Sequence, residues 1–219
     1  MKKYNYDKTI ENVNEIINDF LKQENKLVIK YEEQLESYKL CIKLIKLLEV
    51  LKENDEVTQL YCEEIVNELI ILLTVLHNNN IELKLLYIRK ASEWFMKWIY
   101  ELEEQRNLNA GFKFLKQRIK QKQFYLDNKD VLDNLMKIFS ETSSHLHTTI
   151  KEDSFKTNLI NILYKKTNKQ EWRTIRNHLK NVLAITLVFL KLNYPRFETS
   201  QIKRLNKLLT KTETSKVEK

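Results

Sequence analysis

Three residue pairs in this chain have the types and spacing for acid–base or phosphate chemistry. Arg89 and Glu93 stand four apart, Ser143 and His147 stand four apart, and Arg173 precedes His178 by five. Residues four apart share one face of a helix. A guanidinium steadied by a carboxylate can hold a phosphate or stabilise charge developing on one. An imidazole at the edge of an apolar face can take or give a proton near neutral pH. His147 falls at such an edge, beside Leu146, on a helix whose apolar face is Leu132, Leu135, Phe139, Leu146 and Ile150. The same place suits a structural hydrogen bond. Arg173 and His178 lie about 140° apart on an ideal helix, so they converge only across an interface or over a substrate. Arg173, Arg176, Asn177 and Lys180 share a polar face that could hold phosphates. His145 is about 160° from His147 around the helix and no HExxH pattern occurs, so no metal and no other cofactor is expected.

The elements that must position these groups are helices. The chain has 219 residues with one glycine, Gly111, and one proline, Pro195. Sheets need tight turns, and tight turns draw on Gly, Pro or Asn-Gly. Glycine-rich phosphate cradles need several glycines close together, so they are excluded. The fold class is therefore all-α, a helical bundle more than about 70% helical, on sustained three-four apolar periodicity. Breaks are expected at Asn54-Asp55, Asn78 to Asn80, Asn107 to Gly111, Asp127-Asn128, Lys151 to Ser154, Thr167-Asn168 and Pro195. They predict a first helix over 8–22, separate from or continuous with 26–53, then 56–77, 81–106, 112–126, 129–147, 155–165, 169–193 and 199–211. Thr167-Asn168 followed by Glu171 has cap-box spacing. Three regions follow: an amphipathic helical arm or hairpin at 1–53, a bundle at 54–198, and a basic C-terminal helix with a frayed tail at 199–219.

No run approaches the roughly 20 apolar residues that span a bilayer, and no apolar signal core follows Met1. A cytoplasmic protein without membrane contact is expected. Cys41 and Cys62 fall on apolar helix faces, which predicts buried thiols. The net charge of +8 is unevenly spread: residues 1–110 hold 15 Lys/Arg against 20 Asp/Glu, and residues 111–219 hold 23 against 10. A basic half of that kind suggests a polyanionic partner.

The stretch Leu86-Tyr-Ile-Arg89-Lys-Ala-Ser-Glu93, followed by Trp98-Ile-Tyr100, resembles the Arg-x3-Glu helix of a branch of HEPN-like bacterial proteins. The later Ser143-Ser-His-Leu-His147 is similar to that branch's Ser-x2-(Val/Leu)-His signature. The resemblance covers about 65–195. It implies a four-helix bundle, dimerisation in many members, and either metal-independent RNA cleavage in defence or toxin–antitoxin systems or a non-catalytic binding role. It implies further that His147 and Arg89 line a polar site, oriented by Ser143 and Glu93. In active members an arginine precedes the histidine by five to seven positions on one helix. Here Ser140, Glu141 and Thr142 stand before His147, and the chain's Arg-x4-His is Arg173 with His178.

Two functions are thus expected from different classes. One is RNA binding or metal-free RNA cleavage, with His147 or His178 moving the 2′-OH proton and Arg173 or Arg89 stabilising the phosphorane. In that reading Arg173, Arg176 and Lys180 contact phosphates. The other is an adaptor that binds a protein partner or a second copy of itself through the N-terminal helices. A DNA-binding regulator using 169–211 is weaker, because no compact helix-turn-helix is visible.

Overall fold

A computed structural model describes residues 29–77, 80–102, 104, 107–148 and 167–218, without the side chains of 143–148. Helix accounts for 83% of the described residues, and there is no strand among them. In chain order the helices are α1 (Glu32–Leu51), α2 (Glu56–Val75), α3 (Ile81–Glu101), α4 (Phe112–Ile119), α5 (Gln123–Asp127), α6 (Lys129–Thr148), α7 (Lys169–Asn193), α8 (Thr199–Leu208) and α9 (Lys211–Val217). A 3₁₀ turn, Tyr194–Arg196, carries Pro195 and closes α7.

Several helix starts are set by side chains that accept from the orphan backbone N–H groups of the first turn. Asp55 Oδ1 accepts from Thr58 N at 2.8 Å and Asn80 Oδ1 from Leu83 N at 2.9 Å. Asn168 accepts from Glu171 N, and the Glu171 carboxylate accepts from Asn168 N at 2.8 Å. This capping box is the one that the spacing predicts. Gly111 precedes α4 with φ −75°, a conformation open to any residue.

α1 packs against α7 and α2, α2 against α3, and α3 against α6 and α4. Tyr38, Cys41, Leu44, Ile45, Leu48 and Leu51 make α1 a core helix. Its Glu33 lies beside Arg173 and its Glu36 beside Arg176, while Gln201, beyond the end of α7, bonds Val50 O. α1 and α7 therefore run in the same direction. The boundary expected at 53 thus does not fall at the edge of the packed body: residues 32–51 belong to the bundle, and residues 1–28 of the expected arm lie outside the described residues. An arm helix and a core helix share one periodicity, and only the number of faces covered separates them.

Three further boundaries differ from expectation. The span 112–126 is broken by a turn at 120–122 into α4 and α5. The span 81–106 ends as helix at Glu101. The expected frayed tail is α9, which Thr210 and Glu213 cap reciprocally and which Lys43 anchors through Glu213 at 2.6 Å, with Val217 buried. A cap and one buried valine hold a short polar helix that composition alone assigns to solvent. The expected helix 155–165 lies outside the described residues.

Cys41 and Cys62 are both buried and free. No helix among the described residues is long and apolar enough to cross a membrane.

Candidate functional site

A polar groove lies between α6 and α7. Its volume is about 490 Å³, and its walls carry Asn134, Lys137 and Glu141 from α6 and Thr174, Asn177, His178, Lys180 and Asn181 from α7. On α6 the three are spaced three and four apart, and on α7 the groove residues recur at three and four, so each helix presents one polar stripe. The stripes are set by the opposite, apolar faces. Leu132, Leu135 and Ile138 of α6 and Ile175, Leu179 and Val182 of α7 are buried. His178 sits at the floor, 5% exposed, with its Nε2 3.8 Å from Glu141 Oε2. That separation is an electrostatic contact rather than a direct hydrogen bond. Lys137 approaches the same carboxylate, at 3.6 Å from Oε1. The arrangement supplies an imidazole with a carboxylate beside it, two lysines and three amides, which is equipment for binding a phosphate and moving a proton. No group of three or more His, Cys, Asp or Glu among the described residues could hold a metal ion.

His178 thereby lines the groove, whereas Arg173 does not. α7 turns Arg173 toward α1, where its guanidinium lies 3.7 Å from Glu33, and turns His178 toward α6. The 140° between them is divided between two neighbouring helices. Arg176 also faces α1 and donates to Glu36 at 2.9 Å. Glu33 is held below the ordinary carboxylate range, first by its own backbone N–H and then by Lys169, Arg173 and Arg176. Of the expected phosphate contacts Arg173, Arg176 and Lys180, only Lys180 lines the groove.

These pairs belong to a set that joins the two differently charged halves of the chain. Lys122, Lys169, Arg173, Arg176, Arg196 and Arg204 of the basic half all lie within 4.0 Å of acids from the first 110 residues, namely Glu104, Glu33, Glu36, Asp55 and Glu53. Cations of the basic half are thus paired with acids of the acidic half within the chain. Arg176→Ala is accordingly expected to lower stability by about 1 kcal/mol, because the partly buried Glu36 pair is lost. Urea unfolding of this variant beside Glu36→Gln and the double change checks the coupling. Additive effects would show that the pair contributes nothing.

Arg89 of α3 reaches α6: its guanidinium lies 4.2 Å from the centre of the Phe139 ring, which itself stacks on Phe112. Glu93 pairs with Lys97 at 3.2 Å. Arg89 is thus brought to the helix that carries Ser143 and His147, one turn before Ser143. The side chains of Ser143 and His147 lie outside the described residues.

Sequence reasoning passed over Glu141, Lys137, Asn134 and Asn181. A signal for them exists in the polar positions 134, 137 and 141 on one helix and 174, 177, 178 and 181 on the other. What the sequence lacks is the register that sets one stripe opposite the other. It also passed over Lys84, whose ammonium is buried, donates to Thr167 Oγ1 at 2.7 Å and lies 4.4 Å over the Trp172 ring.

Comparison with protein-family models, with curated proteins and with solved structures finds no match to this chain.

Proposed function

We propose that the chain binds RNA in the groove between α6 and α7 and cleaves it without metal, with His178 as the proton-transfer group. The observation that carries this reading is the His178–Glu141 contact on the floor of a groove edged by Lys137 and Lys180. The similarity of the Arg89–Glu93 and Ser143–His147 segments to HEPN-like proteins agrees with it. In the reaction the 2′-oxygen attacks phosphorus and its proton passes to His178. The P–O5′ bond breaks, leaving a 2′,3′-cyclic phosphate and a 5′-hydroxyl that takes its proton from the imidazolium or from water. Glu141 stabilises the imidazolium, as a carboxylate does beside a catalytic imidazole. Lys137 and Lys180 face the developing negative charge.

The test is incubation of the full chain with total RNA in EDTA, followed by mapping of the cut ends. Cleavage is expected in the wild type and falls by about 10²-fold or more in His178→Ala, with Glu141→Gln intermediate. Binding is read separately from the salt dependence of affinity. Lys137→Ala with Lys180→Ala should lower the slope of log K against log salt by about 1.4, at ~0.7 per single-strand contact. Arg173→Ala should leave it unchanged, since α7 turns that residue away from the groove and toward Glu33 of α1. Full activity in His178→Ala would move the chemistry elsewhere, with His147→Ala the next variant. Binding without cleavage in the wild type would reduce the reading to RNA binding. Neither binding nor cleavage would leave the adaptor role, in which the chain recognises another protein.

A further inference from the structure

A second hollow adjoins the polar groove and shares Lys180 with it. It lies between α6, α7 and α9 and has a volume of about 370 Å³, within the range of about 300–1,000 Å³ that small-molecule pockets take. Its floor is one stripe of α7. Lys180, Leu183, Ala184, Leu187, Val188 and Lys191 recur there at three and four, over about 16 Å at 1.5 Å per residue. The middle of the stripe is therefore apolar, and each end is a lysine. Val131 of α6 extends the apolar wall, and Asn128, just before α6, lies on the rim.

The two ends of the hollow differ. Residues 134–141 of α6 face 174–181 of α7 across the polar groove, whereas Asn128 and Val131 line the hollow that runs on to Lys191. The two helices are therefore antiparallel, and Asn128 falls toward the Lys191 end. Tyr194, just past α7, donates through its hydroxyl to Glu218, just past α9, at 3.1 Å. Lys216 of α9 thus also falls toward that end. Lys191 and Lys216 are exposed, and neither has an acidic partner among the described residues. The acid on the rim, Glu213, is engaged by Lys43 at 2.6 Å and by the capping box of α9.

An apolar channel with two unpaired cations and an amide toward one end complements an alkyl chain that carries a carboxylate. The lining residues include no aromatic ring, so a nucleobase would find no stacking platform there. We propose that this hollow binds a fatty acid, its carboxylate toward Lys191 and Lys216 and its chain along Leu187, Ala184 and Leu183. The aliphatic stem of Lys180 closes the far end, while its ammonium stays with the polar groove. The site does not depend on the RNA reading.

The test is isothermal titration of the full chain with dodecanoate, octanoate and dodecyltrimethylammonium, each below its micelle concentration. Saturable binding of dodecanoate is expected, about tenfold or more tighter than octanoate because more methylenes are buried. It should also be tighter than the ammonium amphiphile of the same chain. Lys191→Glu with Lys216→Glu changes two exposed positions and should weaken dodecanoate about tenfold or more, as expected from the loss of two charge partners. Ala184→Phe, at a half-buried floor position, should do the same by filling the channel. Circular dichroism confirms that the helices persist in each variant. No saturable binding of dodecanoate to the wild type, or binding that survives either change, overturns the proposal. Equal affinity for the carboxylate and ammonium amphiphiles also overturns it, since the cationic end would then play no part. No readout uses RNA, so failure here is distinct from failure of the groove reading.

Discussion

Trp98→Ala should cost about 3–5 kcal/mol of folding stability, and urea unfolding of the full chain would measure it. Trp98 is 1% exposed and lies at the crossing of three helices. Its ring stacks on Phe189 of α7 at 3.7 Å between centroids and on Tyr61 of α2 at 5.9 Å, with Phe95 of its own helix at 6.2 Å. Phe189 is in turn 6.1 Å from Phe124 of α5. Removing the indole takes away the transfer term of a large apolar side chain and leaves a void that several rigid rings cannot refill. Against a total stability of about 5–15 kcal/mol for a domain, this is a large fraction. Trp94, four residues earlier, is the control. It is half-buried and carries the Lys97 ammonium 4.4 Å over its ring, so Trp94→Ala should cost about 1 kcal/mol. Equal costs at the two positions would show that the aromatic cluster is not the structural centre.

Lys84→Met should remove a pH dependence of stability rather than simply weaken the fold. Lys84 is fully buried, and burial lowers its ammonium from 10.5 to about 8, opposed by Glu171 and Glu82. Between those two values the unfolded chain binds more protons than the folded one at this site. Stability contributed by Lys84 therefore rises as pH climbs through that window. One pKa unit is about 1.4 kcal/mol. The shift thus makes the charged lysine a penalty of about 3 kcal/mol at neutral pH, of which about 2 kcal/mol is relieved between pH 7.5 and 9.5. The thiols Cys41 and Cys62 act in the opposite sense. Burial pushes both up, so they stay protonated in the fold while the unfolded thiols ionise, and stability falls over the same range. The sum is therefore uninformative, and the difference between the two proteins is the measurement. At pH 7.5 Lys84→Met should be the more stable, by the penalty less about 1 kcal/mol for the lost bond to Thr167. The gap should close by about 2 kcal/mol by pH 9.5. A gap that does not change with pH would mean that Lys84 is hydrated in the fold.

What the sequence determined by itself is the class of structure and most of its punctuation. With one glycine and one proline it had no turn chemistry for a sheet, and its apolar residues kept a helical period over nearly every described segment. Asp55, Asn80 and the Asn168–Glu171 box start helices where they do because a cap is a contact between residues three apart, readable without knowing any neighbour. Burial of Cys41 and Cys62 was readable for the same kind of reason, since each falls on an apolar face of its own helix. The tertiary structure decided everything that depends on which faces meet. It made 32–51 a core helix, because α2 and α7 cover it on two sides. It gave Arg173 and Arg176 acidic neighbours in Glu33 and Glu36, and it separated Arg173 from His178 by setting α1 and α6 on different sides of α7. It also set Glu141 opposite His178. Helical period fixes the direction in which a side chain points from its own axis, but the partner it meets depends on the register and rotation of a second helix, and no local spacing encodes those.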